Sequence, residues 1–272
     1  MSVPASFDIG RYAAAVFDLD GTVWLSDTPM PGAADFVDSC RQAGLTITFA
    51  TNATAISVPQ LTELLIACGV ARPGDGVVTG GSVVARALAS LEVAEVIAEA
   101  PPAMVESMLA AGIAVYPAGT TAIPDGWERP RPDRAVVMGA SRASTFGGVE
   151  LIGRLASIGH PLYVTSLDPG FPAHERIEPG GGMLVAAARL LYEIDPIVLG
   201  KPSLQYAAAV REASGSAGPF VMFGDSQRAD IGTAALLGAD GVLITRTGHV
   251  ADDLPAPHYL TDGLHAPIRV IP

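Results

Sequence analysis

Short apolar runs that resemble buried strands alternate along this chain with longer, helix-like segments. This alternation predicts an α/β protein built on a parallel sheet. The predicted strands are Ala14–Leu19, Leu45–Ala50, Val77–Thr79, Val136–Gly139, Leu162–Thr165, the apolar run before Gly224, and Gly238–Ile244. The predicted helices are Pro31–Ala43, Val58–Cys68 and segments around Val149–Ser157 and Met183–Leu191. The tail after His249 contains Pro and His residues and is predicted to be coil.

The first predicted strand leads into two carboxylates and a glycine, in the order Asp18-Leu19-Asp20-Gly21. Side chains alternate between the faces of a strand, so Asp18 and Asp20 are expected to project the same way, and Gly21 leaves the chain free to bend. Two carboxylates this close repel each other. The pair therefore favours a bound cation, a shared proton, or a nucleophile beside a general acid. An ordinary Asp-Gly turn after a strand has the same pattern.

Length and composition limit what these acids can serve. At 272 residues with 49% apolar content, the chain predicts two compact units, or one unit with a large insertion. A net charge of −12 argues against nucleic acid or an anionic membrane as a partner, since both attract basic surfaces. The longest uncharged stretch, 42–62, is broken by polar residues, and the N-terminus lacks the pattern of a secretory signal. Cys40 and Cys68, both in helix-like segments, favour reduced thiols in a cytoplasmic protein.

Two later segments place charged residues after predicted strands. Lys201 is the only lysine among the 16 basic residues, and its flexible ammonium is a compact point charge, unlike a planar guanidinium. Chance retention of one lysine is the alternative explanation. Asp225 and Asp230 follow another apolar run, and with Asp18 they form a set of carboxylates from separate strands. All-oxygen ligation without nearby Cys or His favours magnesium over zinc.

Taken in order, these motifs resemble the four motifs of the haloacid dehalogenase (HAD) superfamily of phosphatases. They are Asp18-Leu19-Asp20-Gly21-Thr22, then Thr51-Asn52, then Gly200-Lys201-Pro202, then Gly224-Asp225 with Asp230. The insertion between the second and third motifs resembles the α/β cap of subclass IIA, which includes p-nitrophenyl phosphatases, phosphoglycolate phosphatases and the N-acetylglucosamine-operon phosphatase. The cap-like segments are Val137-Met138-Gly139 with Arg142, Thr165 with Asp168 and Pro172, and Pro179-Gly180-Gly181-Gly182.

The sequence departs from the family pattern in two places. The second motif of the family usually reads Thr-Asn-Asn-Ser, and here Ala53 and Thr54 replace the last two residues. The cap of the family usually has Thr-Asn ahead of its aspartate, and here Ser166 replaces the Asn. The first change bears on the support of the phosphate loop, and the second bears on substrate contacts. Neither change removes a catalytic group.

The resemblance implies a Rossmann-like parallel-sheet HAD core at 1–81 and 197–272, with an inserted α/β cap at 82–196. It implies Mg²⁺-dependent hydrolysis of a small phosphorylated metabolite, such as a sugar phosphate, phosphoglycolate, glycerol phosphate or a nucleotide. It also suggests a homodimer formed through the cap. A phosphomutase or other phosphotransferase, a receiver-like signalling module, and a non-catalytic phospho-ligand-binding protein are the alternatives.

The resemblance also implies a role for each motif residue. Asp18 would attack phosphorus and form an aspartyl-phosphate, while Asp20 would protonate the leaving group and then activate water. Magnesium would be held by Asp18, the Asp20 backbone carbonyl and Asp225, with Asp230 ordering its water shell. Thr51 and Lys201 complete the expected catalytic set. The residues expected to bind the phosphoryl group or the rest of the substrate are Thr51, Asn52, Lys201, Arg142, Asp168, Phe171, Arg176 and Gly181.

Overall fold

The computed structural model describes residues 6–25, 28–119, 123–139, 141–172 and 177–270, without the side chains of Phe171, Pro172 and Ile177. The described chain forms two compact units. The first unit runs to Thr51 and also contains Val58–Val78 and the chain from Lys201 onward, whereas the second comprises Asn52–Ser57 and Thr79–Gly200. The sequence instead predicts boundaries at 81/82 and 196/197, with 52–57 in the first unit. The roles of core and cap remain predictions.

Strands and helices alternate in both units. In chain order the strands are β1 (Ala14–Phe17), β2 (Trp24–Leu25), β3 (Thr28–Pro29), β4 (Thr46–Thr51), β5 (Gly76–Thr79), β6 (Glu95–Glu99), β7 (Ala114–Pro117), β8 (Arg134–Met138), β9 (Leu162–Val164), β10 (Gly170–Pro172), β11 (Ile177–Pro179), β12 (Ile197–Val198), β13 (Phe220–Gly224), β14 (Asp240–Ile244), β15 (Tyr259–Thr261) and β16 (Arg269–Val270). The helices are α1 (Ala33–Gln42), α2 (Val58–Ala67), α3 (Gly80–Ser90), α4 (Pro102–Ala110), α5 (Phe146–Ser157), α6 (Gly181–Arg189), α7 (Leu204–Ser214) and α8 (Gly232–Leu237), with a 3-10 turn at Ile9–Arg11 and a π-helical turn at Gln227–Ile231.

A seven-stranded sheet lies at the centre of the first unit, in the order β16-β15-β14-β13-β1-β4-β5. β1 is parallel to both β4 and β13, the parallel pairing continues to β14 and β15, and β16 is antiparallel. Every residue of β1 and β13 is buried, which explains their unbroken apolar sequences, because both faces of a parallel sheet are covered. Phe17 and Phe223 pair across these two strands, and their rings stack at 4.9 Å.

The second unit contains a five-stranded, all-parallel sheet in the order β12-β9-β8-β6-β7. Successive residues of its strands pack on opposite faces, as the pleat requires. Val96 and Ala98 of β6 join the apolar cluster that contains residues of α3 and α4. Ile97 joins the other cluster, which contains residues of α5 and α6. β10 and β11 form a separate antiparallel pair.

The predicted α/β class and parallel sheet are confirmed, but the tail was predicted incorrectly. The chain after His249 contains β15 and β16, which extend the first sheet. These strands have three and two residues, so their sequences are too short for a period-two pattern to be recognised. β1 ends at Phe17 rather than Leu19, and Cys68 follows the end of α2 and is only partly buried.

Across the parts of the chain that the structure describes, every helix is too short or too polar to cross a membrane.

Candidate active site

Three neighbouring strands bring polar residues to one edge of the first sheet. β1 lies between β4 and β13 and is parallel to both. Asp18 follows β1 directly, Thr51 is the last residue of β4, and Asp225 follows β13 directly. The backbone N–H of Asp18 donates to the Phe223 carbonyl at 2.9 Å, which holds this residue against the neighbouring strand. The carboxyl edge of a parallel sheet is where ligands bind in proteins of this architecture.

Asp18, Asp225 and Asp230 form a close cluster, in which one carboxylate oxygen from each residue lies within 4.8 Å of the others. Two glycines make this approach possible. Gly21 has a φ of 87°, and a Cβ there would come within 2.1 Å of Asp225 Oδ2. A Cβ on Gly224 would lie 2.3 Å from Asp230 Oδ2. Neither position can therefore carry a side chain without moving one of the acids.

The Lys201 ammonium connects two of these acids. Its Nζ donates to Asp18 Oδ1 at 2.5 Å, to Asp230 Oδ1 at 2.7 Å and to the Ala50 carbonyl at 2.9 Å. The side chain is only 3% exposed. Burial alone would lower the pKa of the Lys201 ammonium, but the charges on Asp18 and Asp230 outweigh burial and raise this pKa well above its usual value. Lys201 is therefore a permanently charged group in the cluster.

The acids repel one another more than a single lysine can offset. Burial, followed by the charge on Asp230, raises the pKa of Asp18 well above its usual range, against the opposing effect of Lys201. The same two causes raise the pKa of Asp225 to about 7. When ionised, three carboxylates face one ammonium, so two negative charges are left without a counter-charge. A divalent cation would cancel that excess, and carboxylate oxygens are suitable ligands for Mg²⁺.

The π-helical turn positions Asp230. The backbone N–H of Ser226 donates to Asp230 Oδ2 at 2.9 Å, and the Ser226 hydroxyl accepts from the Ala229 N–H at 3.1 Å. With Lys201 on its other oxygen, the Asp230 carboxylate is held from two sides, and the residue is 1% exposed. A side chain anchored in this way can orient ligands around a metal ion.

Asp20, Thr51 and Asn52 differ in how they relate to this cluster. Asp20 is partly exposed, and its charge contributes to the raised pKa of Asp225. Its carboxylate is outside the close cluster. The metal contact predicted for Asp20 involves its backbone carbonyl and not its carboxylate. Thr51 is buried at the end of β4. Asn52 follows it in the chain but belongs to the second unit, so its predicted contact with phosphate stays a prediction.

Of three substrate-binding residues predicted in the second unit, the structure describes Arg142 in full, Phe171 in part and Arg176 not at all. Arg142 is largely exposed and forms an ion pair with Glu178 of β11. The charge that was expected to meet a substrate is therefore paired within the unit. The backbone of Phe171 lies in β10, but its side chain is outside the described part of the structure, and Arg176 is outside it altogether.

Asp168 and Gly181 lie together in the second unit. The Ser166 hydroxyl donates to Asp168 Oδ2 at 2.8 Å and accepts from the Asp168 N–H at 2.9 Å. Ser166 thus fixes the aspartate locally, at the position where the family pattern has asparagine. Gly181 is the first residue of α6, and a Cβ there would lie 3.0 Å from the Ser166 carbonyl. The glycines at this helix start allow the loop to pack on it.

Sequence reasoning did not anticipate two groups at the edge of the first sheet. One is the Ala50 carbonyl, which accepts from Lys201, and any residue type could supply it. The other is the fully buried Tyr206, whose hydroxyl donates to the Thr51 carbonyl at 2.8 Å. A tyrosine within the apolar pattern of α7 was the available signal, since buried hydroxyls need a partner.

Comparison with known proteins agrees with these motifs. The profile of the family described as haloacid dehalogenase-like hydrolase matches residues 15–114, and a second HAD-like hydrolase profile matches 198–266. A D-glycerol 3-phosphate phosphatase of Mycobacterium tuberculosis is 28% identical over 242 residues, covering 84% of this chain and 62% of that protein. This chain therefore spans less than two thirds of that relative's length. The 5'-nucleotidase YutF of Bacillus subtilis is 25% identical over 261 residues, covering 93% of this chain and 96% of YutF.

A solved structure has the same fold. The glycerol phosphate phosphatase of Mycobacterium tuberculosis in complex with magnesium aligns with a TM-score of 0.80 at 24% identity, covering 96% of this chain and 78% of that one. The first matched profile extends into the second unit, and the second profile begins near the end of that unit. The motif order, the fold and the two profiles together lead to one conclusion: this chain belongs to the haloacid dehalogenase-like hydrolases.

Proposed function

We propose that this protein hydrolyses a small phosphorylated metabolite with Asp18 as the nucleophile and Mg²⁺ as the divalent cation. One observation carries the proposal: Lys201 Nζ bridges Asp18 and Asp230 directly beside Asp225. Phosphoryl transfer needs a positioned nucleophile and positive charge on the phosphoryl oxygens, and this cluster supports both. The relatives named for glycerol 3-phosphate and for nucleotides support a small phosphate monoester as substrate. Reduced cysteines support a cytoplasmic location.

In the first step, a carboxylate oxygen of Asp18 attacks phosphorus, and the bond from phosphorus to the leaving alcohol breaks. Lys201 holds Asp18 Oδ1 and would also face the charge on the transferring group. Asp20, which is partly exposed, would donate its proton to the departing alkoxide. Thr51 and Asn52 would donate hydrogen bonds to the phosphoryl oxygens. The product of this step is an aspartyl-phosphate on Asp18.

In the second step, Asp20 takes a proton from water, the water oxygen attacks phosphorus, and the bond to Asp18 breaks. Inorganic phosphate and the free carboxylate are regenerated. Asp18, Asp225 and Asp230 are the side chains that would hold the metal ion. When bound, the ion supplies positive charge that neutralises the phosphoryl oxygens and the surrounding carboxylates.

A phosphate-release screen across a metabolite panel with magnesium tests the proposed class. Sugar phosphates, phosphoglycolate, glycerol phosphate and nucleotides form the panel, and p-nitrophenyl phosphate serves as an activated reference. We expect release from p-nitrophenyl phosphate and a clear preference among the metabolites. If purified, folded protein released no phosphate from any of these compounds, the proposed activity would be wrong.

Metal removal should abolish turnover. Because three carboxylates face a single ammonium, we expect protein treated with EDTA to lose activity and added Mg²⁺ to restore it. Calcium should restore little, since it is larger and less strict in its coordination geometry. Phosphate release from p-nitrophenyl phosphate measures both effects.

Direct measurement of magnesium binding is the control for metal removal. Titration calorimetry should show that Asp225→Asn weakens magnesium binding, whereas Asp262→Asn, at an exposed acid paired with Arg269, should not. Full activity in a chelated, metal-free sample would refute the metal site.

Substrate preference should depend on the second unit. Because Ser166 holds Asp168 in one orientation, Asp168→Ala is expected to lower kcat/KM for the preferred metabolite about tenfold. Its effect on p-nitrophenyl phosphate should be much smaller, since an activated leaving group needs little remote binding energy. The exposed Asp125 of the same unit provides a matched control, Asp125→Ala. An equal loss on every substrate would show that Asp168 only supports structure.

A further inference from the structure

Tyr206 is a fully buried residue on α7 whose hydroxyl points at the carboxyl edge of the first sheet. The hydroxyl donates to the Thr51 carbonyl at 2.8 Å, with the Val78 carbonyl at 3.2 Å as a second acceptor. Thr51 is the last residue of β4, and Val78 is the last residue but one of β5. A single phenol thus links the ends of two neighbouring strands.

The same tyrosine is tied to the segment that carries Lys201. Ser203 caps α7, and its hydroxyl accepts from the backbone N–H of Tyr206 at 3.0 Å. Lys201 stands two residues before Ser203 and donates to the carbonyl of Ala50, the neighbour of Thr51. Two sets of hydrogen bonds, one from Lys201 and one from Tyr206, therefore hold the end of β4 against the start of α7.

The surroundings of Tyr206 keep its hydroxyl a donor. Burial raises the pKa of the phenol well above its usual range, and although the charge on Lys201 opposes this, the charges on Asp18 and Asp230 add to it. A phenylalanine would fill the same space without a polar atom to satisfy. The hydroxyl therefore contributes a bond that apolar packing does not require.

We propose that Tyr206 is a positioning residue for the phosphoryl-transfer site. It holds the Thr51 carbonyl, and through it the backbone that presents Thr51, in register with Lys201 and Asp18. The residue does not touch the substrate in this account. The proposal rests on the proposed phosphatase function, because it concerns the residues that would bind the phosphoryl group.

The variant Tyr206→Phe removes the hydroxyl and keeps the ring. We expect kcat/KM for p-nitrophenyl phosphate to fall by about tenfold to a hundredfold, because small misplacements of binding groups cost this much. The inhibition constant for inorganic phosphate should rise by at least about threefold, because its ligands have shifted. Magnesium affinity, measured by calorimetry, should stay within about twofold of wild type, since Asp18, Asp225 and Asp230 are unchanged.

Tyr259→Phe is the matched control, because Tyr259 is equally buried and lies on β15, separated from β13 by β14. It should leave both constants at wild-type values. Should Tyr206→Phe fold poorly, Ser203→Ala loosens the same connection from the start of α7 and should move both constants in the same direction by a smaller factor.

The outcomes are distinguishable. A wild-type protein that releases no phosphate would refute the proposed function, whatever the variants do. An active wild type with Tyr206→Phe unchanged in kcat/KM and in phosphate inhibition would overturn the positioning role. A loss of magnesium affinity in parallel with activity would also overturn it, because the tyrosine would then support the whole site rather than the phosphate ligands.

Discussion

Replacing Asp18 with asparagine is expected to abolish turnover while leaving the fold intact. An amide cannot attack phosphorus, so kcat for p-nitrophenyl phosphate should fall by about 10⁴ or more. Stability should not suffer in the same way, since the substitution removes one of three mutually repelling carboxylates and Lys201 keeps its bond to Asp230. Phosphate release and thermal unfolding of metal-free protein measure the two effects. The apparent Tm of Asp18→Asn should be at least that of wild type.

Asp75→Asn is the matched control for this substitution. Asp75 is a largely buried acid of the same unit that pairs with Arg41 and lies outside the cluster. Its loss should lower the apparent Tm and leave kcat almost unchanged. Near wild-type turnover in Asp18→Asn would show that another residue is the nucleophile.

Removing the charge of Lys201 should damage both activity and stability. Losing one preorganised charge contact typically costs about 10²–10³ in rate. Lys201→Ala also leaves Asp18 and Asp230 buried without their shared counter-charge, and breaking a buried ion pair from one side costs about 3–5 kcal/mol. Lys201→Arg keeps the charge, but a planar fork must fit where Nζ now meets three oxygens within 2.9 Å. We therefore expect only partial rescue.

The measurements are kcat/KM and the free energy of unfolding for wild type, Lys201→Arg and Lys201→Ala. Adding Asp230→Asn to Lys201→Ala should recover part of the stability but none of the activity, because it removes a buried charge and not the catalytic defect. Arg41→Ala, which removes another cation held between two aspartates, should destabilise the protein and spare kcat. Full activity in Lys201→Ala would exclude a catalytic role, and full activity in Lys201→Arg would mean that lysine was retained by chance.

The parts of the fold that could be predicted are those in which a strand is long and buried on both faces. β1 and β13 have unbroken apolar sequences, and β4 is buried from Ile47 onward. The polar residues at the ends of these strands marked the edge where Asp18, Thr51 and Asp225 meet. β15 and β16 could not be found in this way, because pairing with β14 and with each other, rather than their own pattern, makes them strands.

The candidate site shows the same division. Motif spacing was sufficient to select Lys201 and Asp230 as candidates, because their charges depend on residue type. The pairing of Arg142 with Glu178 depends on where β11 runs, and the bond from Tyr206 to Thr51 depends on how α7 packs on the sheet. Contacts between residues far apart in the chain follow from packing, and no local pattern encodes them.

The most direct test of the account is to locate the phosphoryl group during turnover. Asp20→Asn should slow hydrolysis of the intermediate, whereas p-nitrophenyl phosphate has an activated leaving group that departs without a proton from Asp20. A rapid acid quench with saturating p-nitrophenyl phosphate should therefore leave phosphate attached to the protein. Peptide mass spectrometry is then expected to place that phosphate on Asp18. A protein that turns over substrate but carries the phosphate on another residue, or never carries one in the quenched variant, would contradict the aspartyl-phosphate mechanism.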